Sequence, residues 1–231
     1  MKFSKLIVTP AALAAALGVG LTATPALAKE GEGIKAHDVL LRVRGIWVKP
    51  TGTSDGVLPA LPGDRVTVRD SFAPEVDLTW MATNHIGFEL IAATTRHSAH
   101  GKQGVTAGIG KVLNTWVLPP TVTAQYHFNP SGKVRPYVGA GLNYTVFWNE
   151  KASDSLVAAV GPTRVHINDS VGYALQGGVD VDINKRFFLN VDAKYIDISP
   201  RATLDTTALG RQTVKTRISP VVVGVGFGIR L

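Results

Sequence analysis

The feature that most constrains this chain is a period-two alternation of polarity that returns eight times after residue 36 and is nowhere replaced by a helical repeat. Successive side chains of a strand point to opposite sides, so each such segment has two faces. In 37–49, Val39, Leu41, Val43 and Trp47 share one face; Leu40, Arg42, Arg44, Ile46 and Val48 share the other. In 74–82, Val76, Leu78 and Trp80 oppose Glu75, Asp77, Thr79 and Met81. The same two-faced reading holds for 86–95, 121–128, 137–148, 171–182, 187–196 and 220–231. One face is almost wholly aliphatic and aromatic. The other carries Arg, Glu, Asp, Asn and Gly.

A water-soluble barrel turns polar residues outward and apolar ones inward. Here the apolar faces are too continuous for solvent, and the charges are too regular for an ordinary core. A membrane barrel fits both: lipid outside, paired charges inside. Each segment has about the 9–11 residues that a tilted membrane strand needs. The connections alternate as well. Residues 83–85, 129–133 and 183–185 are short; 50–70, 98–118, 150–169 and 199–213 are long. Short periplasmic turns and long external loops are the expected arrangement. Trp47, Trp80, Tyr126, Trp148 and Tyr195 lie on the apolar face, where aromatic girdles belong. The fold expected is all-β, an eight-stranded antiparallel transmembrane β-barrel over 29–231.

The N-terminus supplies the route of export. Lys2 and Lys5 precede an apolar stretch from Leu6 to Leu21, and Ala26-Leu27-Ala28 closes it. That is a secretory signal, and 1–28 is expected to be removed. No later stretch is long and apolar enough for a transmembrane helix. The 231 residues contain no Cys, so disulfides and thiolate metal sites are excluded. The net charge of +7 is dispersed, without a basic cluster interleaved with aromatics, so nucleic acid is not an expected partner.

Several segments resemble the outer-membrane protein W family: RVRGIWVKP (42–50), LTWMATNHIGFELIAATTRH (78–97), LPPTVTAQYHF (118–128), RPYVGAGLNYTVF (135–147), GGVDVDIN (177–184) and KYIDI (194–198). Their order and spacing together span the mature chain. The resemblance implies a barrel in the outer membrane of a Gram-negative bacterium, with a narrow, partly apolar lumen for small hydrophobic molecules. Outer-membrane lipids, small hydrophobic solutes and the barrel-assembly machinery are the partners it implies. One departure is plain: the chain ends in Leu231, where the family has an aromatic residue.

Read by height, the inward face divides in two. Arg42, Arg44, Lys194 and Arg230 meet Glu89 and Asp192 in the lower lumen, a charge network that plugs it; Glu75 and Asp77 are placed higher. Above it, Ile46, Val48, Ile91 and Phe147 form an apolar cup, with Trp116 and Leu118 at its edge. Pro119 and Pro120 open the fourth strand. Proline lacks the donor its neighbour needs, so the pair either marks the seam between the third and fourth strands as a candidate lateral exit or simply terminates the preceding loop. Glycines such as Gly139, Gly224 and Gly228 face inward, either leaving a passage or relieving crowding.

Other chemistry finds little support. The six histidines, including His97 and His100, read as surface polar residues, and neither metal nor cofactor is expected. There is no G-x-S-x-G element, and 104–112 lacks phosphate-loop spacing. A passive conduit for hydrophobic molecules and a structural or surface-interaction barrel are the two readings, and a lipid-modifying enzyme is a distant third.

Overall fold

The computed structural model of the protein describes residues 33–231; the signal segment 1–28 lies outside the described residues. Eight strands close into a ring: β1 (Val39–Lys49), β3 (Ser71–Met81), β4 (Ile86–Ala93), β7 (Thr121–His127), β8 (Val134–Ala152), β10 (Ser170–Asp182), β11 (Phe187–Ile196) and β14 (Val221–Arg230). Each pairs antiparallel with the next, and β14 returns to β1. Closure matters because an unpaired strand edge cannot be tolerated in lipid.

The alternation sets which side is which. In β7, Thr121, Thr123, Gln125 and His127 are buried, while Val122, Ala124 and Tyr126 are exposed. On the outer face Leu142 and Val171 are 70% and 73% exposed, a degree that only lipid makes favourable. Aromatic residues gather at two heights. Trp80 stacks with Phe88 and His85 with Tyr126 beside the short turns; Trp47 stacks with Phe72 and Trp116 with Trp148 at the opposite rim.

The four long connections are not loops. Residues 98–118 hold most of β5 (Thr95–Gln103), a short helix α1 (Val105–Ile109) and β6 (Lys111–Leu118). Within 50–70 lies β2 (Arg65–Val68), and 150–169 contains α2 (Asp154–Val160), capped by the Ser153 hydroxyl, and β9 (Thr163–Ile167). Residues 199–213 hold β12 (Arg201–Thr206) and the start of β13 (Gly210–Lys215). Bulges at Arg65/Val66, Ala99/His100 and Asn114/Trp116 interrupt the registers of β2, β5 and β6. A bulge shifts the alternation by one residue, so these strands leave no clean period in the sequence. The strands of the long connections extend the barrel outward as two walls. One is β2-β5-β6 joined to the upper part of β8; the other is β9-β12-β13.

The inward glycines are filled, not open. A Cβ on Gly228 would collide with the Phe188 ring, and one on Gly178 would collide with the Tyr137 hydroxyl. Both rings are fully buried beside them. Here glycine makes room for a neighbour's large side chain in a narrow barrel.

Candidate functional site

The lower lumen is closed by ionic side chains. Arg42 donates to Asp180 Oδ2 at 2.9 Å through Nη2 and to Asp77 Oδ1 at 3.1 Å through Nη1. Arg44 reaches Glu75 Oε1 at 2.8 Å, Asp77 Oδ2 at 2.6 Å and Asp192 Oδ1 at 3.7 Å. Glu89 Oε1 stands 3.6 Å from both guanidinium groups. Lys194 Nζ joins Glu75 and Asp192 at 2.7 and 2.6 Å. Neutral donors complete the net: Tyr137 donates its hydroxyl to Asp192, and Gln176 donates its amide to Glu89. Buried charges are tolerated only when partnered in this way.

Arg42, Arg44, Glu89, Asp192 and Lys194 thus come together as the alternation implied. Arg230 does not join them. It lies nearer the short turns, 3.4 Å from Asp182 and donating to the Lys185 carbonyl, with Arg135 paired to the same Asp182. Glu75 and Asp77 are lower than expected. The antiparallel register of β1 and β3 sets Asp77 opposite Arg42 and Glu75 opposite Arg44, inside the plug.

Directly above the plug is an apolar cavity of about 40 Å³. Ile46, Val48 and Ile91 line it, with Ala93, Val117, Ile196 and Val222; Glu75 forms part of its floor. A second cavity of about 100 Å³ lies between the two walls that extend the barrel, bounded by Val66, Leu113, Phe147, Leu156, Leu204 and Val214 among others. The two share His97, Val117 and Ile218. Walls that are mainly apolar offer few of the about two to four polar partners that an ordered water needs.

Trp116 and Leu118 are corrected by parity. In β6 it is Leu113, Thr115 and Val117 that are buried and face the cavities; Trp116 and Leu118 turn to the outer side, Trp116 against Trp148. Val117 is the residue missed between them. His97 and His127 are corrected too. Both are buried, at 8% and 0% exposure. Their inward parity was the available signal: His127 alternates with Thr121, Thr123 and Gln125.

The wall of the lower cavity is interrupted beside it. β4 pairs with β7 as far as Ile91 opposite Thr121, and β5 resumes with β6 at Thr95 opposite Val117. The register is the same on both sides of the gap. Ala92, Ala93 and Thr94 therefore stand opposite Pro120, Pro119 and Leu118, with no ladder pair between them. Pro119 and Pro120 carry no N–H to offer across it. Ile91, Ala93, Thr95, Val117, Pro119 and Thr121, which edge the break, all line the cavity.

A closed eight-stranded barrel with a lipid-facing apolar belt, a charged plug and an extended outer rim defines an outer-membrane barrel protein. The chain belongs to the OmpW family, whose model matches residues 35–231. It is 36% identical over 216 residues to outer membrane protein W of Escherichia coli, covering 91% of this chain and 96% of that one. It is 34% identical over 211 residues to an uncharacterized outer-membrane protein of Sinorhizobium fredii, covering 90% and 86%. The crystal structure of OprG from Pseudomonas aeruginosa is similar to it at a TM-score of 0.82 and 27% identity, covering 87% of this chain and 99% of that one. The protein is an outer-membrane protein of the Gram-negative type, embedded in outer-membrane lipid.

Proposed function

We propose that the protein is a passive, non-enzymatic conduit that takes small hydrophobic molecules from outside and releases them sideways into the bilayer. The observation that carries this is the three-pair gap in the ladder, which opens onto an apolar cavity directly above a charged plug. A hydrophobic solute travels through the upper cavity, past Val117 and Ile218, into the lower one. Going further down would carry it through Arg44, Lys194 and their carboxylates and then into water. That costs about 25 cal/mol for each Å² of apolar surface returned to water. Lateral release into lipid avoids the cost. Biogenesis through the barrel-assembly machinery belongs to the same reading.

Uptake of a radiolabelled n-alkane by cells making the protein, against cells with an empty vector, tests the reading. Ile91→Trp fills the lower cavity and Phe147→Trp narrows the upper one. Each is expected to reduce uptake to the vector level while the barrel stays folded. Equal uptake with and without the protein would favour a structural or surface-interaction barrel.

A further inference from the structure

The two cavities meet at one polar ring. His97 lines both of them, on β5, one residue above the level at which Arg96 faces Trp116. Its Nδ1 lies 3.0 Å from the Arg69 carbonyl oxygen. A carbonyl only accepts, so Nδ1 carries the proton and Nε2 is a bare acceptor. Burial of the ring holds its pKa below the ordinary histidine value, against the opposing effect of the Arg69 hydrogen bond, so the ring stays neutral near pH 7. Among the described residues no partner takes up Nε2.

Several of the other polar side chains around the cavities are held by neighbours. Thr106 donates to the Arg65 and Gln103 carbonyls, and Thr115 to the Trp116 and Trp148 carbonyls. Gln212 donates to Leu209 O and accepts from Ala60 N, and Thr206 donates to Gly210 O. Glu75 is held by Arg44 and Lys194. His97 Nε2 is an acceptor without a partner among the described residues, on a side chain that lines both mainly apolar cavities.

We infer that His97 is a specificity residue of the conduit, selecting apolar molecules that carry one hydrogen-bond donor, such as long-chain alcohols or phenols, over equally apolar molecules without one. The inference rests on the conduit reading and deepens it. A donor held by Nε2 compensates the polar end for the water it loses on entering an apolar site. A pure hydrocarbon passes without that gain. An ether, which only accepts, meets a like acceptor.

Two measurements test this. In cells, uptake of 1-octanol is compared with octyl methyl ether for the native protein, His97→Leu and His97→Gln. The native protein is expected to favour the alcohol several-fold at low concentration. His97→Leu should lose the preference, with the ether taken up as before. His97→Gln should keep much of it, since its amide can donate to Arg69 and leave its oxygen as an acceptor. In lipid nanodiscs, ¹⁵N-histidine spectra read Nε2 of His97 directly, assigned by the signal absent from His97→Leu. The alcohol is expected to move that signal and the ether to leave it in place. A preference unchanged in His97→Leu, or a signal moved equally by both solutes or by neither, overturns the inference. Absence of uptake for either solute above the vector would end the conduit reading alone, because the spectrum still decides whether Nε2 binds a donor.

Discussion

Removing Arg44 tests whether the plug is one coupled unit. Its guanidinium lies within 4 Å of Glu75, Asp77, Glu89 and Asp192, and its side chain is wholly buried. Replacement by Met keeps much of the volume and removes the charge. Breaking a buried pair costs about 3–5 kcal/mol when the partner is left alone. Here no partner is left wholly alone. Asp77 and Glu89 keep Arg42, at 3.1 and 3.6 Å, and Glu75 and Asp192 keep Lys194. The loss for Arg44→Met is therefore expected near the lower end, about 3 kcal/mol. Asp77 is its nearest partner, so Arg44→Met combined with Asp77→Asn should lose less than the two single losses together, by about 1–2 kcal/mol, within the usual range for contacting residues. Urea unfolding in lipid vesicles, followed by tryptophan fluorescence, gives all four corners of the cycle. Arg211→Met is the control. Its partner Asp205 is a surface pair at 2.8 Å, and no resolvable change is expected. A loss below about 1 kcal/mol for Arg44→Met, or strict additivity with Asp77→Asn, would refute the coupled plug.

Leu142 faces lipid near the middle of the membrane part of β8, so Leu142→Arg should destabilise the barrel by about 2–4 kcal/mol in the same unfolding assay, and Leu142→Ile should leave it nearly unchanged. Topology is read by labelling: a membrane-impermeant maleimide should modify Ala208→Cys, in the exposed turn between β12 and β13, in intact cells. Ser131→Cys, in the turn between β7 and β8, should react only after permeabilisation.

The barrel itself was legible because its strands obey strict alternation. Every inward position from Glu75 to Met81 in β3 is buried as the period required, and Arg42 and Arg44 fell on the correct side of β1. What alternation does not give is the stagger between strands. Asp77 and Glu75 were displaced upward because height counted along one strand says nothing about register with the next. The outer walls were hidden for different reasons: three bulges break the period of β2, β5 and β6, and β9, β12 and β13 are only 5 or 6 residues long, too short to show one. Trp116 and Leu118 are expected at the edge of the cup from their place beside the prolines, and the parity of Val117 turns them outward instead. The proline pair was legible, since a missing N–H is a property of the residue itself. That the gap opens onto a cavity required the three-dimensional closure of β4 and β7 above the plug.

The lateral route is tested most directly by locking the gap. Thr94 and Leu118 stand opposite one another across it, in the register that both flanking ladders share. The chain has no native cysteine, so Thr94→Cys with Leu118→Cys gives a single defined disulfide. Uptake of a labelled n-alkane is measured in cells with the pair oxidised and again after reduction. Oxidised barrels are expected to take up no more than the vector control, and reduced barrels to regain native uptake. Full uptake through the oxidised barrel would contradict lateral release.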